Sequence, residues 1–380
     1  MSWIDDGASE SRWDEFDESR VRSRPNPKAN RPRTKRRPEH ADSEIGMVLG
    51  VDRGRYSVLV PAPELPKHLL GRLSPDAAAS LRQASTVNRG APKPVERIVT
   101  AARARELGRA AIVAGDRVSL VGDTSGTEGS LARIVRINER ATLLRRSADD
   151  TDLVERVIVA NADQLVIVVA AANPEPRPRL IDRALVAAFD AGITPILCIT
   201  KTDLADPAPL LAEFECLDLE VFTSRSDQMP IDALRARLAG HITALIGHSG
   251  VGKSTLVNAL APGTDRATGH VNAVTGRGRH TSSSTICVPV EDAAGRVGWA
   301  IDTPGVRSFG LGHVRPENVL RAFAAMARPE AATGEAEVPL HLAHDWEIIE
   351  RVEAGELGES GKARIASLKE LLDAISDPKF

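Results

Sequence analysis

Cysteine is scarce in this chain, and the few cysteines are not arranged as disulfide partners or metal ligands. The 380 residues include Cys198, Cys216 and Cys287, and no two of them form a CxxC pair. This excludes a disulfide framework and favours a reducing compartment. Aromatic residues are also few, at 3%, so the hydrophobic cores must be built from Val, Leu, Ile and Ala.

Long hydrophobic runs are missing as well. The longest strongly apolar stretch, LVIVVAAA from Leu165 to Ala172, is far below the roughly 20 residues that a membrane helix needs. The acidic, polar N-terminus does not resemble a signal peptide. We therefore expect a soluble, cytoplasmic protein with no membrane partner. Its length indicates about two to three domains.

Residues 1–42 have the composition of a disordered, charged tail. Met1 to Ser19 is acidic and Arg20 to Arg37 is basic and rich in proline, with few apolar residues to offset the entropy of ordering. The basic block leaves two interpretations open, a solvated tail or an RNA-contacting arm. The net charge of −3 argues against a nucleic-acid partner only as an average over the chain.

Residues 43–148 are rich in short strand patterns, which predict an OB-like β-barrel. The segments are IGMVLGV, YSVLVP, AIVAGDRVSLVG and LARIVRINER, separated by turn signals that contain glycine. Residues 62–109 form a predicted insertion with nine Lys/Arg and four Asp/Glu. Barrel and charge together favour an RNA-binding surface over a solvated loop.

The spacing of hydrophobic residues changes from about Asp152 onward. Continuous apolar segments such as DQLVIVVAAA, ITPILCIT and ITALIG alternate with amphipathic segments such as RLIDRALVAAFDAG. This alternation predicts a parallel sheet covered by helices on both faces. We assign residues 149–312 to this α/β domain. Residues 313–380, which end in IASLKELLDAI and a short tail, are predicted to form a helical C-terminal domain.

A phosphate-binding loop (P-loop) follows the predicted strand ITALIG. The pattern Gly247-x4-Gly252-Lys253-Ser254 has a strand before it and a helix after it, as a P-loop requires. Its backbone N–H groups and helix dipole favour phosphate, the lysine neutralises β/γ charge, and the serine hydroxyl offers a Mg²⁺ ligand. The candidate nucleotide contacts are Gly247, His248, Ser249, Gly250, Val251, Gly252, Lys253, Ser254 and Thr255.

A second motif, DTPG, ends another predicted strand 49 residues after Lys253. Asp302 stands at the carboxyl end of this strand, where a carboxylate suits the water shell of Mg²⁺. We expect the backbone N–H of Gly305 to sense the γ-phosphate. In combination with the P-loop, the motif indicates a nucleotide hydrolase.

A third motif, TKTD, predicts the base that is bound. Thr200, Lys201, Thr202 and Asp203 follow a buried strand, and a carboxylate there accepts two hydrogen bonds from the N1–H and N2–H₂ edge of guanine, which adenine cannot match. We expect the lysine stem to pack on the base and Ser224 to face its other edge. In isolation the tetrapeptide is also typical of a helix cap. The P-loop and the DTPG motif in the same chain favour guanine recognition instead.

The order of the motifs is unusual, because the guanine-reading motif of ordinary GTPases follows the P-loop. TKTD, GHSGVGKST, GRGRHTSSST and DTPG occur here in that order, behind an OB-like barrel and before a helical tail. This arrangement resembles the circularly permuted, ribosome small-subunit-dependent GTPase A family over about residues 45–380. The resemblance implies Mg²⁺-dependent GTP hydrolysis stimulated by the 30S subunit, binding to 16S rRNA and a role in late 30S maturation. We expect a monomer.

The chain departs from the family pattern in the nucleotide motifs. Thr200 replaces the usual Asn, so guanine selectivity is expected to depend more on Asp203. The switch segment begins His280-Thr281 and continues with three serines, where the family has His-Thr-Thr-Thr. Thr281 is therefore the predicted switch ligand of Mg²⁺, beside Ser254 and Asp302.

The C-terminal region departs further. The family holds zinc there through three Cys and a His, whereas this chain has no cysteine after Cys287. His341 and His344 remain, but two histidines cannot fill a tetrahedral site. Zinc is therefore unlikely as a cofactor, and packing of apolar helix faces is expected to replace it.

The motifs lack the usual water-orienting residue. Many GTPases have a Gln after DxxG, but Val306 follows Gly305 here. The predicted catalytic residues are Lys253 and His280, although His280 equally suits rRNA contact or a mobile segment. Two other functions stay open: a nucleotide-gated RNA-binding protein in which hydrolysis is incidental, and an ATP-dependent phosphotransferase, which Asp203 disfavours.

Overall fold

The computed structural model describes most of the barrel and the α/β region and part of the C-terminal region. The described residues are 43–85, 95–108, 110–146, 156–215, 217, 219–262, 285–304, 310–311, 314, 319, 352–355 and 358–376. The predicted tail, residues 1–42, lies outside them.

Five strands close into a barrel. They are β1 (Glu44–Asp52), β2 (Arg55–Val60), β3 (Arg97–Arg103), β4 (Arg117–Gly122) and β5 (Ala132–Ile137). The ring runs β1–β2–β3–β5–β4 and returns to β1, with β3 and β5 parallel and the other pairs antiparallel. Its core contains the fully buried side chains of Val48, Val58, Val99, Val118 and Ile134. The prediction of an N-terminal β-barrel is confirmed.

The predicted insertion at residues 62–109 is wrong in one respect, because it contains a barrel strand. β3 pairs with β2 from Arg55↔Ala102 to Val60↔Arg97. Its only fully buried side chains are Val99 and Ala101, so its hydrophobic signal is weak among charged neighbours. Two helices, α1 (Lys67–Leu70) and α2 (Pro75–Ser85), occupy the true connection between β2 and β3.

A short antiparallel ribbon leads from the barrel to the α/β region. It consists of β6 (Leu143–Arg146) and β7 (Arg156–Ala160). The ribbon spans the predicted domain boundary at 148/149, which the strand patterns did not anticipate.

The α/β region is built on six strands. They are β8 (Gln164–Ala170), β9 (Thr194–Thr200), β10 (Glu220–Thr223), β11 (Ile242–Gly247), β12 (Ile286–Glu291) and β13 (Val297–Asp302). Their spatial order is β10-β9-β8-β11-β13-β12, and all neighbours are parallel except β12 and β13. β12 also pairs with β1 at Gly50↔Ile286, which joins this sheet to the barrel.

Helices on both faces explain why the central strands are continuously apolar. Every residue of β8 and β11 is buried, as expected for strands covered on both sides. The helices are α3 (Pro178–Asp190), α4 (Ala208–Glu213), α5 (Ile231–Leu238) and α6 (Lys253–Leu260). The predicted parallel α/β sheet is therefore confirmed, with the strand that precedes the P-loop near its centre.

One long helix of the C-terminal region, α7 (Gly358–Ser376), packs on α3 and α4. Its Leu368 and Leu372 are fully buried. Its buried Arg364 pairs with Asp182 of α3 and lies 4.2 Å above the ring centroid of Phe214. The helical domain over residues 313–380 stays a prediction, because most of that range, with His341 and His344, lies outside the described residues.

Two other properties bear on function. No helix in the described part of the chain is long and apolar enough to cross a membrane. Cys198 and Cys287 are free and buried, and burial raises the pKa of each thiol to about 12. Neither is available as a thiolate nucleophile at neutral pH.

Candidate nucleotide-binding site

The three sequence motifs meet at the carboxyl edge of the parallel sheet. TKTD begins at Thr200, the last residue of β9, and the P-loop begins at Gly247, the last residue of β11. Asp302 is the last residue of β13. β9 and β11 both neighbour β8, and β13 lies on the other side of β11. Crevices at this edge of open α/β sheets are where ligands bind, so the permuted order still assembles one site.

The P-loop has the backbone geometry that its glycines predict. It runs from Gly247, the last residue of β11, to Lys253, the first residue of α6. Gly252 has a φ of 92°, a left-handed conformation that favours glycine. A Cβ on Gly247 would lie 2.6 Å from the carbonyl oxygen of Val168. The start of the P-loop at Gly247 can therefore lie close to Val168 of β8 only because position 247 has no side chain.

The remaining loop residues have distinct environments. Ser249, Gly250, Ser254 and Thr255 are exposed, while Val251 is buried. The ring Nδ1 of His248 lies 3.0 Å from the carbonyl oxygen of Ser249. The exposed groups form the rim of the loop, where a phosphate chain has access to backbone N–H groups and hydroxyls.

Lys253 connects the P-loop to the DTPG motif. Its side chain is buried, and Nζ pairs with the carboxylate of Asp302 and donates to the carbonyl oxygen of Thr303. The hydroxyl of Thr303 donates to the carbonyl oxygen of Leu245 at 2.7 Å. The segment after β13 is thus fastened to β11, with the predicted catalytic lysine and the predicted metal-binding carboxylate in contact.

Thr200, the first residue of TKTD, contacts the P-loop. Its Oγ1 lies 2.5 Å from the carbonyl oxygen of Val251 in the P-loop and 3.2 Å from that of Val169, and the residue is buried. From the sequence, Thr200 was predicted to contribute less to guanine selectivity than Asp203. In the structure it ties the TKTD segment to the P-loop, so it positions the site.

Asp203 is exposed and held by a residue that sequence reasoning missed. Its two carboxylate oxygens accept hydrogen bonds from the N–H and the hydroxyl of Ser226, each at 3.0 Å. These bonds, led by the backbone N–H, hold the pKa of Asp203 below its usual range, so it is ionised at neutral pH. Ser226 lies two residues after the predicted Ser224. The second serine of TSRSD was the only feature of the sequence that could have indicated this contact.

Ser224 and Lys201 anchor the same loop by backbone contacts. The carbonyl oxygen of the buried Ser224 accepts a hydrogen bond from the N–H of Thr202 at 3.2 Å. Lys201 has a φ of 57°, and its Nζ donates to the carbonyl oxygen of Asn173. Asn173, in the loop after β8, is a second contact that the motifs did not indicate.

Two oxygen-bearing side chains on this edge of the sheet are suitable ligands for Mg²⁺. The exposed hydroxyl of Ser254 and the carboxylate of Asp302 are hard oxygen ligands of the kind that Mg²⁺ prefers. Three other predicted site residues, His280, Thr281 and Gly305, lie outside the described residues.

Known proteins match the part of the chain that contains these motifs. The family model RsgA GTPase matches residues 137–312. A small ribosomal subunit biogenesis GTPase RsgA from Pseudomonas aeruginosa is 38% identical over 220 residues, which cover 56% of this chain and 62% of the relative. The chain therefore matches less than two thirds of that relative's length.

Two solved structures have a similar fold. The crystal structure of YjeQ from Thermotoga maritima aligns with a TM-score of 0.56 at 22% identity, covering 87% of this chain and 99% of that one. The crystal structure of YloQ, described as a circularly permuted GTPase, aligns with a TM-score of 0.56 at 22% identity, covering 91% and 99%. These two likenesses support the barrel and the permuted α/β architecture.

Proposed function

We propose that the chain is a member of the RsgA GTPase family, whose model matches residues 137–312, and that it is a Mg²⁺-dependent GTPase acting in late maturation of the 30S ribosomal subunit. The name of its Pseudomonas relative, a small ribosomal subunit biogenesis GTPase, supports this role. Such a role belongs to the bacterial cytoplasm, and we propose that the protein works there as a monomer.

The observation that carries the proposal is the contact between motifs that are far apart and permuted in the sequence. Thr200 bonds to the P-loop carbonyl of Val251, and Lys253 of the same loop pairs with Asp302. Base-reading, phosphate-binding and metal-binding groups are therefore linked within one sheet edge. A chance resemblance of three short motifs would not give these contacts.

Guanine recognition is assigned to Asp203. Its exposed, ionised carboxylate is oriented by two bonds from Ser226 and has further lone pairs for the N1–H and N2–H₂ groups of guanine. ATP lacks this pair of donors, so the site should reject it strongly. We propose that Lys201 packs beside the base and that Ser224 and Thr202 hold the loop.

Phosphate binding is assigned to the P-loop backbone and Lys253, which would exchange its contact with Asp302 for the β- and γ-phosphates. Ser254, Asp302 and Thr281 would hold Mg²⁺, whose charge neutralises the phosphate oxygens. We propose that Gly305 faces the γ-phosphate and that His280 orients water. The absence of a Gln after Gly305 is consistent with slow intrinsic hydrolysis that the 30S subunit stimulates.

Contact with 16S rRNA is assigned to the barrel and the basic segment within residues 62–109. Exposed basic side chains lie on or beside the strands of the barrel, namely Arg53, Arg55, Arg103, Arg133 and Arg136. Cationic groups on a small barrel suit nucleic-acid backbones. We propose that residues 43–148 form the RNA-binding domain and residues 149–312 the GTPase domain. We propose that residues 313–380 form a helical domain without the family's zinc site.

Two binding measurements test this proposal. The purified chain should bind GTP far more tightly than ATP, and equal affinities would refute guanine recognition. A non-hydrolysable GTP analogue should tighten 30S binding by about 5–150-fold over GDP, the usual range of coupling between sites. Identical 30S affinity with both nucleotides would reject the switch.

A further inference from the structure

A second cluster of functional side chains lies at the opposite, amino edge of the sheet. His68 belongs to α1, Asp163 immediately precedes β8, and His241 immediately precedes β11. β11 separates His241 from the P-loop by six residues, which is about 20 Å of extended strand. The nucleotide chemistry therefore makes no use of this cluster.

The three side chains converge on one point. Nε2 of His68 lies 2.8 Å from Oδ2 of Asp163, and Nδ1 of His241 lies 2.5 Å from the same oxygen. The ligand atoms of all three residues are within 4.8 Å of one another. Both imidazole nitrogens thus contact the same carboxylate oxygen, and the three potential ligand atoms form one compact group.

Asp163 is held in place by the backbone of β11. Its Oδ1 accepts a hydrogen bond from the N–H of Ile242 at 2.7 Å, and its own N–H donates to the carbonyl oxygen of Ile242 at 2.9 Å. The side chain is only 6% exposed. Oδ2 is therefore aimed at the histidines by a fixed outer contact, the kind of support that metal ligands require.

We propose that His68, Asp163 and His241 bind one divalent transition-metal ion, with Zn²⁺ as the best-suited occupant. Two histidines and a carboxylate form a known Zn²⁺ ligand set that leaves a fourth position open. Bonds of about 2.0–2.1 Å at tetrahedral angles separate ligand atoms by about 3.3 Å. The two imidazole–carboxylate distances of 2.8 and 2.5 Å need to open by less than about 1 Å. The partly exposed side chains of His68 and His241 leave room for this adjustment.

The three side chains line a pocket of about 210 Å³. Gln164 and Thr194 line it together with Arg72 and Arg237, and Arg237 is already paired with Glu220. The cavity is large enough for a solvent ligand. The charge of Arg72 favours a hydroxide or another anion as the fourth ligand.

This site differs from the zinc site that the family places in its C-terminal domain. It uses no cysteine and no residue after His241, so the loss of the tail cysteines has no bearing on it. The ion would link α1, in the connection between β2 and β3, to the amino ends of β8 and β11. We infer that it fastens the barrel to the α/β sheet.

Metal titration of the full chain tests the assignment. The protein, freed of nucleotide and stripped with a chelator, is dialysed against Zn²⁺ in excess Mg²⁺, which competes poorly for nitrogen ligands. Elemental analysis should give one zinc per chain. Co²⁺ in place of Zn²⁺ should give the visible d–d absorption bands of a tetrahedral Co²⁺ ion.

Two variants locate the ion. His68→Ala removes a half-exposed ligand at little risk to folding and should weaken Zn²⁺ binding by at least about 100-fold, since loss of an outer-shell partner alone costs about 10–100-fold. The double variant His341→Ala/His344→Ala is the matched control and should bind like the wild type. Equal Zn²⁺ affinity of wild type and His68→Ala, or loss of zinc only in the tail variant, would overturn the proposal. GTP binding, measured separately, tests the proposed function on its own.

Discussion

The two edges of the central sheet place demands of different kinds on the sequence. At the carboxyl edge, the P-loop needs particular backbone conformations, such as the positive φ of Gly252 and the close approach at Gly247. At the amino edge, His68, Asp163 and His241 need only to be brought together by packing. The same strands, β8 and β11, support the candidate nucleotide site and the proposed metal site.

The first and largest expected effect concerns phosphate binding at the carboxyl edge. Lys253→Ala removes the buried ammonium that pairs with Asp302, so hydrolysis should fall by about 10²–10³-fold, as when one charge-stabilising donor is lost. RNA contact by the barrel should survive in part. Lys362→Ala, at an exposed lysine of α7, is the control. Wild-type hydrolysis rates in Lys253→Ala would exclude the P-loop role.

A methyl group at Gly247 should produce the next largest effect. Gly247→Ala forces a Cβ to within 2.6 Å of the Val168 carbonyl, and overpacking of this kind costs about 1–3 kcal/mol of stability. Chemical denaturation measures the loss, and nucleotide affinity should fall with it. Gly71→Ala is the control, because its Cβ would meet no atom closer than 3.6 Å. Equal stability of both variants would show that the loop tolerates the contact.

Base selectivity is expected to respond to Asp203. Asp203→Asn should weaken GTP and favour xanthosine triphosphate, whose O2 can accept from the Asn amide; each mispaired donor costs about 1–3 kcal/mol. Competition binding with the two nucleotides measures the change. Asp206→Asn, at an exposed aspartate that accepts from the N–H of Ala208, should leave selectivity unaltered. Unchanged GTP affinity in Asp203→Asn contradicts base reading.

The smallest expected effect distinguishes positioning from base reading at Thr200. Thr200→Val keeps the shape but leaves the carbonyl of Val251 without its hydroxyl partner, a loss of about 1 kcal/mol. GTP and xanthosine triphosphate should weaken equally, by about fivefold, and Thr200→Ser should restore both. A change in the ratio of the two affinities would assign the hydroxyl to the base after all.

The carboxyl edge was largely predictable, because local patterns encode local backbone geometry. Gly252, Lys253 and Asp302 were all identified by motif, and continuous apolar strands indicated the sheet that brings them together. The motifs did not give the partners of their side chains. Ser226 bonds to Asp203, and the Thr200 hydroxyl turns to the P-loop, because tertiary packing decides those contacts.

The barrel and the amino edge were less predictable. β3 was hidden in a charged segment, since Val99 and Ala101 are its only fully buried side chains and its pairing is nonlocal. The cluster of His68 with Asp163 and His241 joins three distant segments without any spacing rule. Such sites become visible only once the strand order is known.

The most direct test of the proposed function is single-turnover hydrolysis of GTP by the full chain, titrated with purified 30S subunits. We predict a slow intrinsic rate that rises with 30S concentration to a plateau. Lys253→Ala, measured in parallel, should show no such rise. A wild-type rate that stays constant across the titration would contradict the account and leave an RNA-binding protein in which hydrolysis is incidental.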